Sequence, residues 1–213
     1  MTKQNGRTLW TALGLLAAFA LWTAAVSRID IRPIGPQGTS VGFAALNRFF
    51  HNLTGTHMWI YILTDRLSLL PLGLAAGFAA LGLAQWIGRK RLRKVDRSIR
   101  VLGIFYAAVL AAYLFFERCV INNRPVLIDG ALEASYPSST TVLVLCVMPT
   151  AVMQLNGRIQ NRMLRRCVSL GLTLFAACMV IGRLVSGVHW LTDIVGGVLL
   201  SAGLVLLYAF FAE

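Results

Sequence analysis

Apolar residues fill six long stretches of the chain, and most of the charged residues gather between them. The stretches run over about 8–27, 67–87, 101–116, 137–155, 167–185 and 190–211. A helix rises about 1.5 Å per residue, so about 20 apolar residues cross a hydrocarbon core of about 30 Å. Each stretch therefore predicts a membrane-spanning helix. The expected fold class is an all-α membrane protein, a six-transmembrane-helix bundle forming a single domain over 1–213. The second span has an open boundary, because 57–87 also reads as one long tilted helix. Pro33, Gly35, Pro36 and Gly38 make 32–38 a turn-rich stretch. From Val41 to Leu53 the pattern changes. Phe43, Leu46, Phe49, Phe50 and Leu53 recur at helical spacing, with Asn47, Arg48, His51 and Asn52 between them. That pattern predicts an outward amphipathic helix lying in the membrane interface or packing over the bundle as a lid. Trp59 and Tyr61 beside it fit an interfacial aromatic belt. Gly73 and Gly77 form a GxxxG that suits close helix approach, and Gly196-Gly197 reads as a packing feature of the last span.

Composition agrees with the pattern. Hydrophobic residues make up 57% of the 213 positions and charged ones only 13%, against about 25% in soluble domains. Mean hydropathy is +0.71. The net charge of +12 suggests nucleic acid until its distribution is considered. Lys3 and Arg7, the run Arg89, Lys90, Arg91, Arg93, Lys94, Arg97 and Arg100, and the group Arg158, Arg162, Arg165 and Arg166 hold 13 of the 20 basic residues. Each cluster lies before or between spans, which is the positive-inside pattern, so no nucleic-acid partner is expected. The same clusters could touch anionic headgroups. An even number of spans with a basic N-terminus puts both termini in the cytoplasm. Segments 28–66, 117–136 and 183–190 then face outward. The expected setting is the plasma membrane, multi-pass, with membrane lipids as neighbours. The run Thr8 to Val26 is too long for the apolar core of a signal peptide and is expected to remain as the first span. Cys119, Cys146, Cys167 and Cys178 have no metal-ligand or disulfide spacing and read mostly as small buried thiols.

Three outward segments carry candidate chemistry. Glu117 to Pro125 ends in Arg124-Pro125, where the proline holds the arginine in extended geometry suited to gripping a phosphate. Tyr136-Pro137-Ser138-Ser139-Thr140-Thr141 opens the fourth span, and a helix start with hydroxyls and free N–H groups suits an anion, although it is also a common cap. The third is Gly182-Arg183, followed by His189 and Asp193. Four residues apart, His189 and Asp193 share a helix face, so the carboxylate can bond one imidazole nitrogen and leave the other for substrate. Charged groups at membrane depth are costly, which makes them candidates for function.

In order and spacing, these segments resemble the type 2 phosphatidic acid phosphatase superfamily of integral membrane lipid phosphatases. Its motifs run K-x6-R-P, P-S-G-H and S-R-x5-H-x3-D. The chain matches them at Arg124-Pro125, at Pro137-Ser138, and at Arg183, His189 and Asp193. The resemblance implies that His189 attacks phosphorus to form a phosphohistidine and that Asp193 orients it. It implies that Arg124, Arg183 and the donors around Ser138, Ser139 and Thr140 bind the phosphate, with no metal and no cofactor.

Three positions depart from the pattern. Glu117 stands at the motif lysine, Gly182 at the serine, and Thr140 at the second-motif histidine. In the family that histidine protonates the leaving oxygen, and threonine is no acid near neutral pH. A diphosphate substrate, with its better leaving group, would need less protonation. Otherwise His51, His57 or Glu117 would supply the proton. The leading expectation is a lipid phosphate or diphosphate phosphatase acting on the outer face. The alternative is a non-catalytic or weakly catalytic phospholipid-binding or translocating protein on the same scaffold. A phosphoryl- or lipid-moving transferase would use the same His189 with another acceptor.

Overall fold

A computed structural model describes residues 3–212, so Met1, Thr2 and Glu213 of the expected 1–213 domain lie outside the described residues. The described residues form eight α-helices: α1 (Lys3–Val26), α2 (Ala44–Thr54), α3 (Met58–Leu67), α4 (Leu69–Arg89), α5 (Arg97–Arg118), α6 (Ser139–Asn156), α7 (Arg162–Val185) and α8 (Leu191–Ala212). Among the described residues six segments are long and apolar enough to cross a membrane, with α3 and α4 joined into one of 32 residues. This is the all-helical six-span bundle expected from the apolar runs.

Several boundaries move. The second span begins at Met58, as its reading over 57–87 has it and not the one over 67–87, so Asp65 and Arg66 lie within the helical segment and not in an outward loop. The apolar turn before them continues into α4, and Asp65 can stay because it pairs with Arg183. The fifth span starts at Arg162, five positions earlier than the apolar run, because Asn161 caps it by accepting from the Leu164 N–H at 3.0 Å. The fourth starts at Ser139 with Ser138 as its cap.

α6 and α8 are the inner helices, each close to half buried along its span. α8 packs against α1, α5 and α6, and α6 also against α7. Small residues make this possible. A Cβ on Gly196 would sit 2.7 Å from the Tyr136 ring, and one on Gly203 would sit 2.8 Å from Leu16. Gly196-Gly197 is therefore a packing feature, as read. Gly73 and Gly77 are not: a Cβ on either would meet nothing within 4 Å. Both face away from the bundle, so this GxxxG makes no close approach within the chain. Of the four free cysteines, only Cys146 is buried. Cys119, Cys167 and Cys178 lie on the exposed face, contrary to the expectation that most would be buried.

Helix order puts the ends of α1, α4, α6 and α8 alternately at two poles. The basic clusters gather at one pole. The segments 117–138 and 186–190, together with α2, gather at the other. α2 begins at Ala44 rather than Val41, because Val41 is tied to Arg32 by paired backbone hydrogen bonds at 2.9 and 3.1 Å. The helix presents Leu46, Phe49 and Leu53 outward. Its buried polar residue, Asn47, donates to Thr192 Oγ1 at 3.0 Å and accepts from the Thr192 N–H at 3.2 Å. A side-chain amide thus secures α2 over the start of α8 and satisfies one of that helix's orphan N–H groups.

The turn between α7 and α8 depends on Gly187. Its φ is +66, and an added Cβ would lie 1.9 Å from the Gly55 carbonyl oxygen. Next to it the His57 N–H donates to the Ser186 carbonyl at 2.9 Å. Gly187→Ala is expected to cost about 1–3 kcal/mol through strain at positive φ and forced separation of the two loops. A lower thermal midpoint in detergent would register it; an unchanged midpoint would contradict this role.

Candidate active site

The loop 119–138 positions the first arginine. Asp129 and Gly130 have φ of 50 and 79, which suits a two-residue hairpin turn. Ile128 and Ala131 exchange backbone hydrogen bonds at 3.1 and 2.8 Å across it. Further back the Arg124 N–H donates to the Glu133 carbonyl at 3.0 Å, and the Ser135 N–H to that of Asn122 at 2.9 Å. The hairpin thereby holds Arg124 over the bundle end. Its Nε lies 2.9 Å from Glu133 Oε2, an ion-pair distance, although the N–H is not aligned as a hydrogen bond.

Arg124 Nη1 lies 3.0 Å from His189 Nε2. A guanidinium can only donate, so Nε2 is the acceptor and the imidazole proton resides on Nδ1. Nδ1 faces Asp193 Oδ2 at 3.6 Å. That is longer than a hydrogen bond, and such contacts in unliganded sites often tighten when substrate binds. Asp193 is wholly buried. Its Oδ2 accepts the Trp190 N–H at 2.9 Å, reaching back from the first turn of α8 as a capping carboxylate does. The Asn122 amide lies 3.5 Å from Oδ1. Trp190 in turn donates its indole N–H to the Asn123 carbonyl at 2.7 Å, tying the hairpin to α8.

Burial pushes the His189 pKa down to about 4 from the ordinary 6.5; Asp193 opposes the shift and the Arg124 charge adds to it. The ring is neutral at physiological pH. Because the unfolded chain binds the proton more readily, the stability tied to this group is complete above about 6.5 and erodes as pH falls towards 4. In labelled protein, the His189 imidazole resonances are expected to show no protonation between about pH 8 and 5.5. A midpoint above 6 would contradict this.

Arg183, near the end of α7, is almost completely buried. Its Nη2 donates to Asp65 Oδ1 at 3.0 Å and also to Thr140 Oγ1. Nε and Nη1 are buried without a partner. A buried guanidinium with two open donors is expensive unless an anion completes it. The Tyr61 ring packs beneath both arginines, with its centroid 4.8 Å from the Arg183 guanidinium and 5.6 Å from that of Arg124. Tyr61 thus faces the site, while Trp59 is the exposed aromatic of that turn.

The helix-start segment has mixed duties. Ser138 is wholly buried; its Oγ accepts from the Thr141 N–H at 3.4 Å and hydroxyl at 3.0 Å. Ser139 and Thr140 line a cavity of about 550 Å³. Tyr106, Val109, Tyr113, Phe116 and Leu143 make much of its wall, and Asp65 and Glu117 are also among its lining. His51 packs its ring against Trp190 at 5.6 Å, and burial lowers its pKa. His57 Nε2 lies 2.9 Å from the Thr54 carbonyl oxygen. Neither is within hydrogen-bond reach of the arginines or His189. Among the described residues, no three His, Cys, Asp or Glu side chains gather as a metal would need.

The sequence segments Arg124, Thr140, Arg183, His189 and Asp193 thus converge at one pole. The structure adds Asp65, Tyr61, Asn122 and Glu133. Asp65 carries a signal, an acidic residue in an apolar run, which the 67–87 reading of the second span puts in a loop and the 57–87 reading keeps in the helix.

A six-span helical bundle with this pole defines a class. Residues 118–212 match the family model described as PAP2 superfamily, which bears out the resemblance. The fold matches the first transmembrane PAP2-type phosphatidylglycerolphosphate phosphatase from Bacillus subtilis, known from its crystal structure, with a TM-score of 0.65 and 17% identity. The match covers 93% of this chain and 94% of that one. No curated protein matches the chain in sequence.

Proposed function

We propose that the protein is a membrane phosphatase of lipid phosphates or diphosphates, working through a phosphohistidine on His189. The observation that carries this reading is the Arg183 guanidinium, buried with two open donors, at one pole with a neutral imidazole whose Nε2 lone pair already faces a cation. A phosphoryl group entering there would draw Arg124 from Nε2, be held by both guanidinium groups, and present phosphorus to the freed nitrogen. The arginines stabilise the charge that builds up in the transition state. The superfamily segment and the phosphatase with the matching fold support the lipid phosphatase class. The adjoining apolar cavity suits a hydrocarbon chain.

The site is proposed to act on the outer face of the plasma membrane, since it lies at the pole opposite the basic clusters. Both termini would then be cytoplasmic. Two guanidinium groups supply the charge that a metal would otherwise provide, so no metal and no cofactor is invoked.

Phosphate release from a panel of long-chain alkyl phosphates, phosphatidate, phosphatidylglycerol phosphate and polyprenyl diphosphate in detergent tests the reading. Release from at least one, undiminished by a metal chelator, is the expected result. No release from any would contradict it. The non-catalytic phospholipid-binding reading draws on Thr140, a hydroxyl where the family pattern has an acid. It predicts binding of the same lipids with no release.

A further inference from the structure

A lipid alcohol leaves phosphorus as a strong base and needs a proton as it departs. Neither Thr140 nor a guanidinium can give one. The ester oxygen of a substrate lies where its phosphate meets its chain, which here is the seam between Arg183 and the apolar cavity. One carboxyl group stands on that seam. Asp65 lines the cavity, and its Oδ1 lies 3.0 Å from Arg183 Nη2, the nitrogen that also donates to Thr140 Oγ1. Glu117 and Tyr113 line the same cavity but make no hydrogen bond to this guanidinium. The Asp65 side chain is 58% exposed, so it is open to the cavity while paired. Its approach depends on Gly182, where an added Cβ would lie 2.8 Å from the Thr64 methyl group. The glycine lets α3 come against α7 and bring Asp65 to Arg183.

We propose that Asp65 carries the proton to the leaving oxygen; this rests on the phosphatase reading. In the empty site its carboxylate satisfies part of Arg183. An incoming phosphate competes for that guanidinium and sets negative charge beside Asp65, which then takes up a proton from solvent or from the substrate's own P–OH. His189 Nε2 bonds to phosphorus, the bond from phosphorus to the lipid oxygen breaks, and the Asp65 proton passes to that oxygen. The lipid leaves as a neutral alcohol. Water then bonds to phosphorus, the P–N bond breaks, and a water proton returns to the Asp65 carboxylate as inorganic phosphate forms.

The test compares Asp65→Asn and Asp65→Glu with the unaltered full chain in detergent on two substrates. Hexadecyl phosphate has an alkoxide leaving group; p-nitrophenyl phosphate has one that departs without a proton. Asp65→Asn is expected to slow the alkyl substrate by about 10²–10⁴-fold and the aryl substrate by less than about tenfold, with Asp65→Glu recovering most of the alkyl rate. Equal losses on both substrates would show that Asp65 acts only by holding Arg183 and would overturn the proposal, as would no loss on the alkyl substrate. Release by the unaltered protein from another lipid of the panel but not from hexadecyl phosphate would overturn the proposal and leave the phosphatase reading standing; no release from any lipid of the panel would end both.

Discussion

Replacing His189 with alanine is expected to remove phosphate release almost entirely, by at least about 10⁴-fold, because it deletes the nucleophile and leaves only binding and charge stabilisation. The variant should still bind lipid phosphate, since Arg183 and its open donors are untouched. It should also fold, since the His189 ring is hydrogen-bonded to Arg124 while the α8 cap is made by Asp193 and Trp190. His189→Gln is the stricter control, because it restores a polar group of similar reach. Phosphate release near the unaltered rate in either variant would mean that another group attacks phosphorus. Asp193→Asn separates orientation from nucleophilicity. The amide can still accept from the Trp190 N–H, but it no longer fixes the proton on His189 Nδ1. A large loss of rate with little loss of thermal stability is the expected pattern.

The second large effect is expected at Arg183. Arg183→Lys keeps a charge but loses the planar fork, and with it the Nε and Nη1 donors that stand open in the site. Removing one preorganised donor typically costs about 10²–10³ in rate, and two are lost here. The expected loss in kcat is therefore at least about 10²-fold, with weaker binding of inorganic phosphate or vanadate. Arg183→Ala should be worse for the fold as well. It would leave Asp65 without its cation and the Tyr61 face without the nearer of its two guanidinium groups. A lysine variant with ordinary kcat would show that the open donors do not meet the substrate.

Much of this is legible in the sequence. The apolar runs located six helices, because hydrocarbon leaves a backbone no alternative to internal hydrogen bonds. The segments with Arg124, Thr140, Arg183 and His189 announced themselves as polar groups beside membrane spans, and they do meet. Asp65 was harder. One carboxylate and one arginine in sequence look like the end of a span, and only the fold shows a partner 118 positions away on α7 that lets the helix continue through them. Tyr61 failed for a related reason. An aromatic near a span end fits a belt facing lipid, whereas here it is turned under two guanidinium groups that the sequence places more than 60 positions further on. Ser138 shows a limit of a different kind. A hydroxyl at a helix start serves a cap or an anion equally well by spacing alone, and its contacts with Thr141 make it a cap. Gly182 looked like a simple loss of a serine; the close approach of Thr64 gives the small residue a reason.

The covalent intermediate is the claim on which the rest depends. Protein mixed with a ³²P-labelled lipid phosphate, quenched in alkali within the first turnover and digested, should yield one labelled peptide, with the phosphoryl group on His189. The label should be stable in alkali and lost in acid, as expected of a phosphoramidate, and absent from His189→Ala. Turnover of the same lipid with no labelled peptide, or with label on any other residue, would contradict the account.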